Sequence, residues 1–167
     1  MSLEIIKPEE FQRGVFKTIR RDWLLLTAGV PGDYNTMTVS WGGLGVLWNR
    51  FVATVYVRPQ RYTYEFMEKY DTFTLSAYPE SSRDMLMFCG TKSGRDCDKA
   101  AECRLVPKEY EGGVYFEGAD LVIACKKLYF SDLDSRNFLD PSIMDNYPEN
   151  DFHRMYIGGI TGMMVEK

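Results

Sequence analysis

Between Trp23 and Val57 three strand-like segments follow one another with no helical pattern between them, and this restricts the fold more than any other feature of the chain. Trp23–Val30 is a nearly unbroken apolar run, the pattern of a buried strand. It stops at Pro31-Gly32-Asp33, where Pro presets one turn residue and Gly tolerates the positive φ that the next requires. Thr36–Trp41 alternates polar and apolar residues, the period of a strand with one wet face. Gly42-Gly43 and Gly45 then interrupt the pattern and predict a bulge, a sharp bend or a close approach to the backbone. Phe51–Val57 reads as the third strand, so the segment is expected to form a meander.

Beyond this point the period changes. Pro59 sits where a first helical residue is favoured, and Tyr62, Phe66, Met67 and Tyr70 recur at helical spacing. Asp71–Tyr78 reads as a strand again. Ser81-Ser82-Arg83-Asp84 resembles a capped helix start, Met85, Leu86 and Phe88 follow on one side, and Gly90 is the expected stop. A short helix is expected from about Arg95 to Cys103. Ala119–Asp132 is strand-like, 133–151 is loop-like, and Tyr156–Val165 reads as a last strand broken by glycines. Strands at both ends with helices inserted between them predict a mainly β fold, a barrel with helical insertions, and not alternating βαβ units. At 167 residues, without repeats or an obvious linker, the chain is expected to be one domain, 1–167.

Composition removes several function classes. The net charge is −4 and the pI about 5.1, with no basic cluster beyond Arg20-Arg21 and Lys126-Lys127, so nucleic acid is not an expected partner. No leader pattern and no apolar run of membrane-spanning length stand out, which predicts a cytoplasmic protein without membrane contact. Cys89, Cys97, Cys103 and Cys125 lack C-x-x-C spacing and the chain has a single histidine, so no metal site is expected and reduced thiols are.

Four constellations could carry chemistry. Asn35-Thr36-Met37-Thr38-Val39-Ser40 gathers an amide and hydroxyls on a strand just past a turn, where they could meet the edge of a planar heterocycle or simply face solvent. Arg58, Arg61, Tyr62 and Thr63 stand where a strand hands over to a helix. Helix N-termini offer free N–H groups and partial positive charge, which suit a phosphate, and guanidiniums add charge-assisted donors; two solvated arginines are the plain alternative. Thr91, Lys92 and Ser93, followed by Gly94-Arg95, form a donor-rich loop or an ordinary helix connection, and no P-loop pattern is present. His153 is a candidate catalytic group, as a donor to a bound ring or a proton carrier near neutral pH, or a structural histidine.

The order of these motifs resembles the flavin reductase-like, FMN-binding split-barrel family, which includes flavoredoxin-type proteins. The shared pattern is a strand ending in Pro-Gly-Asp, then N-x-M-T-x-S-W-G, R-P-x-R-Y-T, G-T-x-S-G-R-D and a late H-x-x-Y-I-G-G, spread over about residues 15–165. The resemblance implies a Greek-key split β-barrel that dimerises, with FMN in a groove at the interface. It implies that Asn35–Ser40 line the isoalloxazine ring, that Arg58, Arg61, Tyr62 and Thr63 hold the ribityl phosphate, and that Thr91–Arg95 and His153 lie near the open face of the ring. Many relatives carry an acid where Gly159 stands here, which sets this chain apart at that point. The implied activity is that of an FMN-dependent oxidoreductase, with hydride passing from NAD(P)H, a transient reductant, to flavin and on to a small-molecule or protein acceptor. The alternatives are an FMN-carrying electron-transfer protein without NAD(P)H turnover of its own, and a flavin-free sensor of small molecules.

Overall fold

The computed structural model describes residues 2–167. In chain order the elements are β1 (Leu3–Ile5), α1 (Val15–Lys17, running into a π turn over Thr18–Asp22), β2 (Leu24–Val30), β3 (Asp33–Val39), β4 (Gly42–Leu47) and β5 (Arg50–Val57). Then follow α2 (Tyr62–Lys69), β6 (Thr72–Ala77), α3 (Arg83–Thr91), α4 (Lys99–Glu102), β7 (Pro107–Tyr110), β8 (Gly113–Phe116), β9 (Leu121–Asp132) and β10 (Arg154–Glu166). The fold is mainly β with helical insertions, a split β-barrel.

Every strand pair is antiparallel, and the main sheet runs β3-β2-β6-β9-β10-β5-β4, with β1 added beside β10. The expected meander is therefore corrected. β2 pairs with β3 and β4 pairs with β5, but β3 and β4 lie at opposite ends of the path although only Ser40 and Trp41 separate them in sequence. A sheet whose two edge strands are joined by two residues must curl until the edges approach. Because β3 and β4 do not hydrogen-bond to each other, a split remains there, and the backbone of β3 on that side has no strand partner.

The hydrophobic run Leu24-Leu25-Leu26 is buried on both faces of β2. Leu24 and Leu26 point into the barrel core with Val39, Val55, Met67, Phe73, Ile123 and Tyr156, while Leu25 packs outward with Tyr78, Leu86, Phe116 and Val122 under α3 and the β7–β8 hairpin. That hairpin turns on Glu111-Gly112, and the β4–β5 hairpin turns on Trp48-Asn49; all four residues have positive φ, the geometry that matches the twist of two-residue hairpins.

Several sequence expectations shift. β2 begins at Leu24, because Trp23 takes φ 65° at the end of the π turn, with the Arg83 guanidinium 3.2 Å over its ring. The glycines of β4 make neither bulge nor bend, since β4 keeps an unbroken register with β5, but the close approach holds at Gly42, where a Cβ would lie 2.6 Å from Thr54 O. Pro59 precedes the helix, since the turn closed by Arg61 N–H to Arg58 O (3.0 Å) delays the start of α2 to Tyr62. α3 continues through Gly90, and the helix expected over 95–103 is only α4, capped by the Asp98 carboxylate on Ala101 N–H at 3.1 Å. β10 is one continuous strand whose register shifts at Ile157/Gly158 and Ile160/Gly162 absorb the glycines. A Cβ on Gly158 would lie 2.6 Å from the Phe73 ring and 2.9 Å from Cys125, which explains that glycine as a packing requirement.

Candidate functional site

Two clefts lie on the β3 side of the barrel split. The first, about 180 Å³, is lined by Met37–Trp41 from the end of β3, Tyr56 and Arg58 from the end of β5, and His153 at the entry to β10. The side chains of β3 are largely committed within the protein. Asn35 Nδ2 donates to Thr63 Oγ1 at 2.8 Å, Thr36 Oγ1 to Leu26 O at 3.1 Å, and Thr38 Oγ1 to Leu86 O at 2.5 Å. What the strand offers the cleft is its free backbone edge from Met37 to Ser40, with the Ser40 hydroxyl.

Arg58 stands at this cleft, apart from Arg61. Its Nη1 donates to Asp151 Oδ2 at 2.6 Å and its Nη2 to Asn146 O at 2.8 Å, so it clamps the loop before β10. His153 is 8% exposed and its Nδ1 lies 2.7 Å from the Tyr147 hydroxyl. Trp41 packs against it, ring centroids 5.1 Å apart. Burial, and then the positive charge of Arg58, push its pKa down to about 4 against the opposing pull of Asp151. The imidazole is therefore neutral near pH 7.

The second cleft, about 80 Å³, lies between the start of α2 and the end of α3 and is lined by Gln60–Thr63, Thr91–Gly94 and Lys99. Arg61 Nη1 donates to Gly90 O at 2.9 Å, whereas its Nη2 is buried without a hydrogen-bond partner. Lys99, 4% exposed, places its Nζ 2.9 Å from both Thr36 O and Cys89 O, which leaves one ammonium proton unassigned. Neither cation is paired with a carboxylate among the described residues. Burial, followed by the charge of Arg61, lowers the Lys99 pKa to about 8, and burial followed by Arg58 lowers that of Arg61. Two like charges, Lys99 buried and Arg61 half-buried with an unsatisfied buried donor, form beside a helix N-terminus a cradle for an anion.

The loop is tightly fitted around this cradle. A Cβ on Gly94 would lie 2.1 Å from Asn35 Oδ1 and 2.8 Å from the Tyr62 ring. The Thr91 hydroxyl is spent on Met87 O at 2.9 Å, and Ser93 Oγ accepts Arg95 N–H at 3.2 Å. Lys92 is exposed at the rim. The structure thus brings Asn35, Arg61, Tyr62, Thr63, Thr91, Lys92 and Ser93 to one end, and Met37–Ser40, Arg58 and His153 to the other. Lys99 was not among the sequence candidates. Its only local signal is the Asp98 cap, which fixes it in the first turn of α4, and nothing in the local pattern marks a lysine beside two alanines as buried.

Two larger grooves, about 700 and 660 Å³, lie near the N-terminal segment. Arg13, which lines both, is already matched by Asp22 and Asp120 at 3.1 and 2.6 Å. Neither contains a buried donor without a hydrogen-bond partner such as Arg61 Nη2 in the smaller cleft. Among the described residues no group of His, Cys, Asp or Glu is placed to hold a metal ion, and no helix is long and apolar enough to cross a membrane.

A family model for the flavin reductase like domain matches residues 16–166. Among solved structures, the FMN-binding domain of a flavin reductases-like enzyme from Shewanella baltica OS155 superposes with a TM-score of 0.71 at 17% identity, over 98% of this chain and 77% of that one. An FMN-binding protein from Thermus thermophilus gives 0.70 at 18% identity, over 97% and 81%. Flavoredoxin from Methanosarcina acetivorans gives 0.68 at 20% identity, over 97% and 77%. A search of curated proteins finds no match.

Proposed function

The chain belongs to the flavin reductase-like domain family, and from that premise we propose that it binds FMN along the two clefts and works as an oxidoreductase. The observation that carries this reading is the pair of cations at the second cleft, half-buried Arg61 and buried Lys99, with a buried guanidinium nitrogen that has no partner among the described residues. A dianionic phosphate satisfies both charges and that donor, so the residues present fit the tail of FMN. Arg61, Lys99 and the first turn of α2 bind it, while Asn35, through Thr63, fixes that turn against β3.

FMN, when bound, would supply two-electron redox chemistry. The chain's part is to bind and orient. The unpaired edge of β3 from Met37 to Ser40 presents donors and acceptors to the heterocycle's rim, and His153 adds a neutral N–H at the far side of the cleft. Trp41 and Tyr56 wall the cleft and limit water. No dinucleotide-binding fingerprint exists in the sequence, so NAD(P)H is a transient hydride donor that stacks and leaves. Residues 1–167 act as one domain, and four free thiols suit the reducing cytoplasm.

The protein works as a homodimer in this reading. Trp48, 53% exposed at the tip of the β4–β5 hairpin, stands 6.1 Å from the ring of Tyr129, 47% exposed on β9, and the two rings present an apolar surface on that face of the sheet. Burial of such a patch against a second copy is favourable at roughly 25 cal/mol per Å².

The test is anaerobic mixing of the purified protein with FMN and NADH or NADPH. Bleaching of the flavin absorbance is expected with one of the donors. A likeness to flavoredoxin supports a second reading, an FMN-carrying electron-transfer protein reduced by another protein. Flavin binding without bleaching by either donor selects it.

A further inference from the structure

We propose that Tyr147 is a positioning residue whose buried hydroxyl holds His153 in the Nε2–H tautomer, so that the imidazole presents a fixed N–H donor to the cleft at the barrel split. The inference rests on the proposed function only for what that donor meets; the tautomer itself is a property of the chain.

The geometry assigns the direction of the bond. Tyr147 is 4% exposed, and its hydroxyl has His153 Nδ1, at 2.7 Å, as its side-chain partner. If Nδ1 carried the proton, the phenol O–H would be buried without an acceptor, at a cost of about 1–3 kcal/mol. With O–H donating to Nδ1, both groups are satisfied and the proton of the neutral ring resides on Nε2, which makes no hydrogen bond to the described chain and belongs to the wall of the cleft. The phenol has little freedom to turn away. Its ring stacks on Phe138 with centroids 6.0 Å apart and lies 5.0 Å from Phe152, its backbone N–H bonds Met144 O at 2.8 Å, and the Arg58 guanidinium sits 5.1 Å over its face.

The charged groups facing His153 are Arg58, from the end of β5, and Asp151, from the loop before β10, and these two pair with each other at 2.6 Å. Trp41 and Tyr56, from the other walls, present aromatic rings to it, at centroid distances of 5.1 and 6.4 Å. The ring therefore stays neutral over the physiological range, and its donor does not alternate with an acceptor as pH changes. Such a group recognises a neutral acceptor, a carbonyl oxygen or ring-nitrogen lone pair of a planar heterocycle.

Because His153 is the only histidine of the chain, one imidazole dominates a long-range proton–nitrogen NMR spectrum of the apoprotein. The expected wild-type signal is a single Nε2–H tautomer that does not titrate between pH 6 and 8. In Tyr147→Phe the hydroxyl that favours the unprotonated Nδ1 is gone, so the tautomers mix and the titration midpoint rises. An Nδ1–H tautomer in the wild type overturns the proposal, and so does a variant whose tautomer and midpoint match the wild type. Should the variant not fold, the wild-type spectrum still decides. None of these readouts uses flavin, so a failure here is distinct from a failure to bind FMN.

Discussion

Asn35 Nδ2 donates to Thr63 Oγ1 at 2.8 Å, and this buried bond ties the edge strand β3 to the first turn of α2. Removing either partner strands a buried polar group, which costs about 1–3 kcal/mol, whereas removing both is milder. Asn35→Ala and Thr63→Val are each expected to lose stability in that range, and the double variant to lose clearly less than their sum. Urea unfolding of the four proteins of the cycle reads the coupling. Strict additivity would show that the bond contributes nothing.

Gly94→Ala tests how closely the loop after α3 is fitted. The added Cβ would stand 2.1 Å from Asn35 Oδ1, so either the loop or the Asn35 side chain must move. A loss of roughly 1–3 kcal/mol is expected, as for overpacking, together with weaker FMN binding. Gly43→Ala is the control, since a Cβ there meets nothing within 4 Å. Equal melting temperatures for the two variants would contradict the fit.

The anion cradle makes an unusual prediction for Arg61→Met. A half-buried cation without a counter-charge, its Nη2 sealed from water without a partner, is a cost to the apoprotein, so an apolar replacement is expected to leave apo stability unchanged or raise it. The same change removes a charge-assisted donor, and FMN affinity should fall by roughly 1.5–3 kcal/mol. Calorimetric titration with FMN and thermal melting of the apoprotein read the two effects separately. Unchanged affinity would place the phosphate elsewhere.

Much of this was legible in the sequence because it is written in short-range pattern. The alternation of Thr36–Trp41, the Pro31-Gly32 turn and the Arg-rich strand-to-helix junction each fix a local geometry. What did not show is set by distance along the chain. That β3 and β4 end at opposite edges depends on β6, β9 and β10 inserting between them, and no window around Ser40-Trp41 contains that fact. Arg58 and Arg61 look alike in sequence, yet Asp151, far along the chain, captures one, while the other keeps a buried nitrogen without a partner. The burial of Lys99 likewise depends on carbonyls from β3 and α3. The β7–β8 hairpin around Glu111-Gly112 has strands of only four residues each, too short to show a strand period in the sequence.

The apolar hairpin surface predicts the assembly. Trp48 lies at the tip of the β4–β5 hairpin, 53% exposed and 6.1 Å from the Tyr129 ring, where it supports no internal core. Trp48→Glu should leave folding intact and shift the protein from dimer to monomer in light scattering after size exclusion. A wild type that elutes as a monomer would remove the homodimer from the proposed function.

Lys99 gives the prediction with the clearest sign. Its pKa in the folded chain is lowered to about 8 from the ordinary 10.5, with burial as the leading cause. Between those values the unfolded chain binds more protons than the folded one, so this group's contribution to stability rises with pH, at up to about 1.4 kcal/mol per pH unit. Buried thiols act in the opposite sense, since Cys89 is pushed up to about 12 and so holds its proton longer in the folded state. The contribution of Lys99 is therefore read as the difference between wild type and Lys99→Met, which should grow in favour of the wild type from pH 8 to 10. Affinity for FMN runs the other way. Binding a phosphate needs the ammonium, so wild-type affinity should fall as pH climbs above 8, while Lys99→Met binds weakly at pH 7 and shows no further fall from this group. Apoprotein melts and FMN titrations across the same pH series make the comparison. A parallel rise or fall of the two quantities would show that Lys99 does not face the bound anion.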